Sequence, residues 1–134
     1  MRDISGYTVL LVDDTLENMD ILVAVLENDV DVTVAMDGPS ALESLAWERP
    51  NLVLLDIEMP DMDGYEVFRR IKADPANALI PIVFLSGRSS PEERVKGMEM
   101  GAVDFIAKPF VVGDVLATVR RTLSRARPHE EVPT

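Results

Sequence analysis

Five short apolar runs recur at nearly even spacing along this chain, at residues 7–12, 30–35, 51–55, 81–85 and 103–107. Each has the length of a strand. Three are continuous rather than alternating, the pattern of strands covered on both faces. Between the runs, apolar residues fall at helical spacing. Segment 15–28 carries Leu16, Met19, Leu22, Val23 and Leu26, and segment 39–48 opens on Pro39 and carries Ala41, Leu42, Leu45 and Ala46. A turn signal, Asp63-Gly64, precedes a helix over 64–73 with Val67, Phe68 and Ile71. Segment 91–100 opens on Pro91 and stops at Gly101, and segment 112–127 carries Val115, Leu116, Val119 and Leu123. Strict alternation of five strands and five helices predicts an α/β fold: a five-stranded parallel sheet, doubly wound, with strand order 2-1-3-4-5.

At 134 residues the chain has room for one domain, expected over 1–127, with 128–134 as a tail or the start of a linker. Asp and Glu number 24 against 13 Lys and Arg, a net charge of −11, which would repel a phosphate backbone and argues against direct nucleic-acid binding. No apolar run approaches the roughly 20 residues that span a bilayer. The N-terminus lacks a secretory layout and the chain has no cysteine, so a cytoplasmic location is expected. The single histidine, His129, lies in the tail. Chemistry is left to carboxylates, hydroxyls and lysine.

In a doubly wound sheet, sites lie beyond the carboxyl ends of the strands. Strand 1 ends in Asp13-Asp14, strand 3 in Asp56, strand 4 in Ser86-Gly87 and strand 5 in Lys108-Pro109. An aspartate at a strand end commonly caps the following helix, and Asp14 suits that role. Three at adjacent strand ends need more than capping, because they repel one another. A hard divalent cation relieves that repulsion. Three carboxylates (−3), Lys108 (+1) and Mg²⁺ (+2) sum to zero. The chain has no glycine-rich phosphate loop, so this is phosphoryl-transfer equipment without a nucleotide cradle.

Leu11-Val12-Asp13-Asp14, the stretch from Leu54 through Asp56-Ile57-Glu58-Met59-Pro60 to Gly64, Leu85-Ser86-Gly87 and Ala107-Lys108-Pro109-Phe110 closely resemble the receiver domain of two-component response regulators. The resemblance implies that Asp56 accepts a phosphoryl group from the phosphohistidine of a sensor histidine kinase or phosphotransfer protein. It implies Mg²⁺, with Mn²⁺ as a substitute, on Asp13, Asp14, Asp56 and the backbone carbonyl of Glu58. Lys108, Ser86 and Gly87 would bind phosphoryl oxygens, and the Lys108-Pro109 peptide would be cis. Ser86 and Phe105 would act as the switch, although Phe105 also reads as ordinary core-edge packing. Glu58 and Arg88 would tune the phosphoryl lifetime, through an ion pair across the site or as two solvated loop charges. Gly97, in the middle of helix 4, marks a locally weak helix and a plausible moving part.

The last helix carries Arg120, Arg121, Arg125 and Arg127 with only Asp114 opposing them, and helix 4 carries Glu92, Glu93 and Glu99 beside Arg94 and Lys96. These read as solvated faces or as a charge-complementary surface for a homodimer or a downstream effector. Trp47 is expected to be packed or half-exposed. The sequence therefore predicts a signalling switch, not an enzyme acting on an external substrate. One alternative is a receiver module of a larger regulator, such as a cyclic-dinucleotide enzyme or hybrid kinase. A Mg²⁺-dependent aspartyl phosphatase would want Asp-x-Asp where this chain has Asp56-Ile57-Glu58, and a flavodoxin-like carrier would find its FMN phosphate repelled by Asp13-Asp14.

Overall fold

A computed structural model of the chain describes residues 6–87 and 90–125. Ten elements alternate without exception: β1 Thr8–Val12, α1 Leu16–Leu26, β2 Asp31–Ala35, α2 Gly38–Trp47, β3 Leu52–Asp56, α3 Gly64–Ala73, β4 Ile82–Ser86, α4 Pro91–Met100, β5 Asp104–Ala107 and α5 Val112–Arg125. All strand pairings are parallel, and the order across the sheet is β2-β1-β3-β4-β5, as the alternation predicts. Strand ends shift by a single residue from the sequence reading. Segment 128–134 and Arg127 lie outside the described residues.

The period of two along each strand sorts the core into two layers. Leu10, Val12, Val53, Leu55, Ile82 and Phe84 face one side, where Ala41, Leu45, Val67, Phe68 and Ile71 of α2 and α3 cover them. Val9, Leu11, Leu52, Leu54, Val83 and Leu85 face the other, under Met19, Leu22 and Leu26 of α1 and Val115, Val119 and Leu123 of α5. β3 and β4 are buried at every position, which is why their sequences show no alternation. β2, at the edge, is the least buried strand.

The helix ends follow capping chemistry, with one departure from the sequence reading. Asp37, Asp63 and Ser90 each accept the backbone N–H three residues on, at the starts of α2, α3 and α4. Gly101 ends α4 at φ 116°, a left-handed conformation that glycine adopts without a Cβ penalty. Asp14, however, does not cap α1. Thr15 stands at that position, and its N–H donates to Asp13 Oδ1 at 2.9 Å. Trp47 also departs from expectation, at 84% exposed. It stands two residues beyond buried Leu45, about 200° round the helix at 3.6 residues per turn, and so faces away from the sheet.

Candidate functional site

Four strand ends converge on one pocket because β1 and β3 are neighbours and β4 and β5 follow in order. β1 delivers Asp13 and Asp14, β3 delivers Asp56, β4 delivers Ser86 and Gly87, and β5 delivers Lys108. Asp13, Asp56 and Ser86 are buried, while Asp14 is exposed at the rim. One carboxylate oxygen from each of Asp13, Asp14 and Asp56 lies within 4.8 Å of the others. Lys108 bridges two of the three, with Nζ 2.9 Å from Asp56 Oδ1 and 3.2 Å from Asp13 Oδ2. The Lys108-Pro109 peptide is cis.

The electrostatics follow from that crowding. Burial, above all, pushes the Asp56 carboxyl up to about 7; the Lys108 hydrogen bond opposes the rise, and the charges of Asp13 and Glu58 add to it. Burial alone would lower Lys108, but its bonds to Asp56 and Asp13 prevail and raise it. Among the described residues, Asp56 Oδ2 is a buried oxygen with no hydrogen-bond partner. An unpartnered buried carboxylate oxygen is costly unless something positive or protonated meets it. Ligands of Mg²⁺, bonded at about 2.1 Å, sit at most about 4.2 Å apart. The acidic cluster gathers three carboxylates at close to that spacing, and hard oxygen donors are the chemistry that Mg²⁺ and Mn²⁺ take.

The backbone around Asp56 is as constrained as its side chain. Gly64 opens α3 against the end of β3, where an added Cβ would fall 2.3 Å from the Asp56 carbonyl oxygen. The Gly64 N–H donates to the Ile57 carbonyl at 2.9 Å, closing the loop that carries Glu58.

The other residues singled out by sequence fall as follows. The Glu58 side chain does not extend freely into solvent. It accepts from the Ser86 hydroxyl at 2.9 and 3.1 Å and from the Gly87 N–H at 3.2 Å. Arg88, its expected ionic partner, lies outside the described residues. Phe105 is buried beneath α4, with the Arg94 guanidinium 5.1 Å from its ring centroid. On α5, Asp114 is not the sole counter-charge, because the fold brings Asp29 to Arg120 at 3.7 Å and Asp104 to Arg121 at 2.6 Å.

Two features escaped the sequence reading. From the first turn of α1, Asn18 Nδ2 donates to Asp13 Oδ2 at 3.4 Å, which orients the buried carboxylate. Tyr65, the residue after Gly64, donates its hydroxyl to Glu93 of α4 at 2.7 Å, and Lys96 Nζ sits 4.0 Å from its ring centroid. That contact ties the helix beginning beside Asp56 to the helix beside Phe105. An apolar-periodic position occupied by tyrosine rather than phenylalanine was the available signal.

A doubly wound sheet with an acidic pocket at the β1–β3 switch point defines a receiver-type signalling module, and this chain belongs to the response regulator receiver domain family, whose model matches residues 9–120. It is 41% identical over 127 residues to a probable cyclic di-GMP phosphodiesterase of Vibrio cholerae, covering 95% of this chain and 29% of that protein. It is 41% identical over 119 residues to the response regulator PleD of Caulobacter vibrioides, covering 87% of this chain and 26% of that one. The chain thus spans less than a third of the length of these two relatives. Among solved structures, the chemotaxis protein CheY4 of Vibrio cholerae superposes with a TM-score of 0.82 at 29% identity, covering 87% of this chain and 98% of that one. Among the described residues, no helix is long and apolar enough to cross a membrane.

Proposed function

We propose that this chain is a phosphorylation-activated switch in which Asp56 takes a phosphoryl group from the phosphohistidine of a sensor histidine kinase or phosphotransfer protein. The P–N bond to imidazole breaks as a P–O bond to the Asp56 carboxylate forms, and the imidazole leaves with its electron pair. The observation that carries this reading is the unpartnered Oδ2 of Asp56, buried beside two further carboxylates and one ammonium. Asp13, Asp14, Asp56 and the Glu58 carbonyl would hold Mg²⁺, with Mn²⁺ as a substitute; the ion supplies positive charge to offset that of the incoming group. Asp13 is held for this task by Asn18 and by the Thr15 N–H.

Lys108 already reaches Asp56 and would follow the phosphoryl oxygens, while the Ser86 hydroxyl and the Gly87 N–H stand at the end of the adjacent strand. Phosphorylation adds charge and acceptor oxygens beside Ser86. Its displacement would free space toward Phe105, in register with Phe84 on the neighbouring strand. The outlet is then the surface of α4, β5 and α5, where Val95 and Met98 are exposed on α4 and exposed Val103 adjoins the Arg121–Asp104 pair. A downstream effector, or a second copy of the chain on phosphorylation, would dock there. The relatives' length favours an output domain in a longer regulator, and the phosphodiesterase relative makes a cyclic-dinucleotide enzyme the leading candidate.

The test is incubation with a small acyl phosphate and Mg²⁺, followed by intact mass. A gain of about 80 Da, one phosphoryl group in place of a proton, is expected for the wild type and not for Asp56→Asn. Retention of the adduct in Asp56→Asn, or none in the wild type, would overturn the assignment.

A further inference from the structure

A groove at the opposite end of the sheet from Asp56 takes no part in the proposed phosphotransfer. Leu79 and Pro81, just before β4, and Val103, just before β5, give it an apolar lining, and Asp104, Arg121 and Arg125 border it with charge. Its volume is about 230 Å³. That is below the roughly 300 Å³ at which small-molecule pockets begin, and it suits a few side chains of a peptide instead. Leu79 is held in place at this groove. Lys72 Nζ donates to the carbonyls of Ala78 and Ile80, at 2.9 and 2.7 Å, and so pins the backbone on both sides of it. The Leu79 side chain is nevertheless 96% exposed, with Val103 also exposed across the groove. Covering them would remove apolar surface from water, which nothing among the described residues does.

Charge and tethering narrow the occupant. Arg121 is paired with Asp104 at 2.6 Å, whereas Arg125 has no ion pair among the described residues, so the groove carries one uncompensated positive charge. Arg125 is also the last residue of α5. The seven residues 126–132 that follow it therefore start at the groove itself and reach up to about 24 Å. They lie outside the described residues and include Glu130-Glu131-Val132, two carboxylates beside an apolar side chain. We propose that the groove is the seat of Glu130-Glu131-Val132, with a carboxylate on Arg125 and Val132 against Leu79 and Val103. A tether this short keeps the segment at an effective concentration of about millimolar, so a contact too weak to join separate molecules forms within one. Docking would fix the direction in which the chain leaves α5, and with it the placement of an output domain joined there. The seat meets the α4–β5–α5 outlet at Val103 and the Arg121–Asp104 pair, and it does not depend on Asp56 being the phosphoacceptor.

The chain has no cysteine, so Thr134→Cys offers a single point for a nitroxide label on the otherwise unchanged chain. Broadening of the Leu79, Val103 and Thr122 amide resonances by that label reports where the segment sits. A tether alone broadens amides near Arg125, so the decisive comparison is a charge swap read as a double-mutant cycle. Broadening at Leu79 and Val103 should fall about threefold in Glu130→Lys/Glu131→Lys and in Arg125→Glu, and return when the two changes are combined. Leu79→Ala should weaken it as well; Leu79 and Arg125 are both exposed, so neither change threatens the fold. Equal broadening in all of these chains would overturn the proposal, as would broadening centred on another surface. Broadening that appears only when nitroxide-labelled and isotope-labelled chains are mixed would place a second copy in the groove, and would overturn it too.

Discussion

Asp56 is buried beside Asp13 and the Glu58 loop, so its ionised form is disfavoured in the folded chain. Its pKa rises from 3.8 to about 7 on folding. The contribution to stability is therefore fully present below about pH 4 and is lost as pH rises through 7. Asparagine has nearly the same shape and no titration. In metal-free buffer Asp56→Asn should match the wild type at pH 4 and exceed it by up to about 4 kcal/mol at pH 8, as followed by urea denaturation. A constant difference across that range would refute the account. The aspartates, Ser86 and Lys108 were legible in the sequence because each is a polar residue breaking an apolar run at a strand end. The Glu58–Ser86 bond was not, because it depends on the rotamer of an exposed side chain and on a loop geometry that spacing does not encode.

The same distinction holds among the elements. Hydrophobic period and capping residues located every strand and helix, since burial and unsatisfied backbone groups act locally on those positions. What the period could not show is why a helix tolerates an unfavourable residue. Gly97 reads as a weak point in α4, yet an added Cβ there would sit 3.0 Å from Phe84 Cδ2 and 3.6 Å from Phe105 Cδ2. Phe84 is fully buried and cannot easily yield, being held by Tyr65 and Phe68 at ring centroid distances of 5.5 and 5.4 Å. The glycine is thus a packing requirement that draws α4 onto the sheet. Gly113, in the first turn of α5, meets nothing within 4 Å. Alanine at Gly113 should stabilise the fold by a few tenths to about 1 kcal/mol, as helix propensity dictates. Alanine at Gly97 should forfeit that gain and destabilise by about 1 kcal/mol or more through overpacking. Denaturation midpoints at unchanged m-value would check the pair, and equal gains at both sites would show that Phe84 moves aside.

Over the whole molecule, the acidic cluster is complete only once the sheet is assembled. Asp13 and Asp14 leave β1, Asp56 leaves β3, and 41 residues lie between Asp14 and Asp56 in the sequence. An ion held there binds the folded chain and not the unfolded one, so it must stabilise the fold by mass action, by about 2.7 kcal/mol at one hundred times its dissociation constant. Protons compete for the same oxygens. With Asp56 titrating at about 7, Mg²⁺ affinity should fall about tenfold for each pH unit below that value. A concentration that is one hundred times the dissociation constant at pH 8 then yields about 1 kcal/mol or less at pH 5.5. Thermal denaturation with and without Mg²⁺ should accordingly show an upshift of several degrees at pH 8 that nearly vanishes at pH 5.5. The upshift should shrink in Asp13→Asn at either pH. An upshift independent of pH would place the ion away from Asp56, and none at pH 8 would leave Lys108 as the cation that holds these carboxylates together.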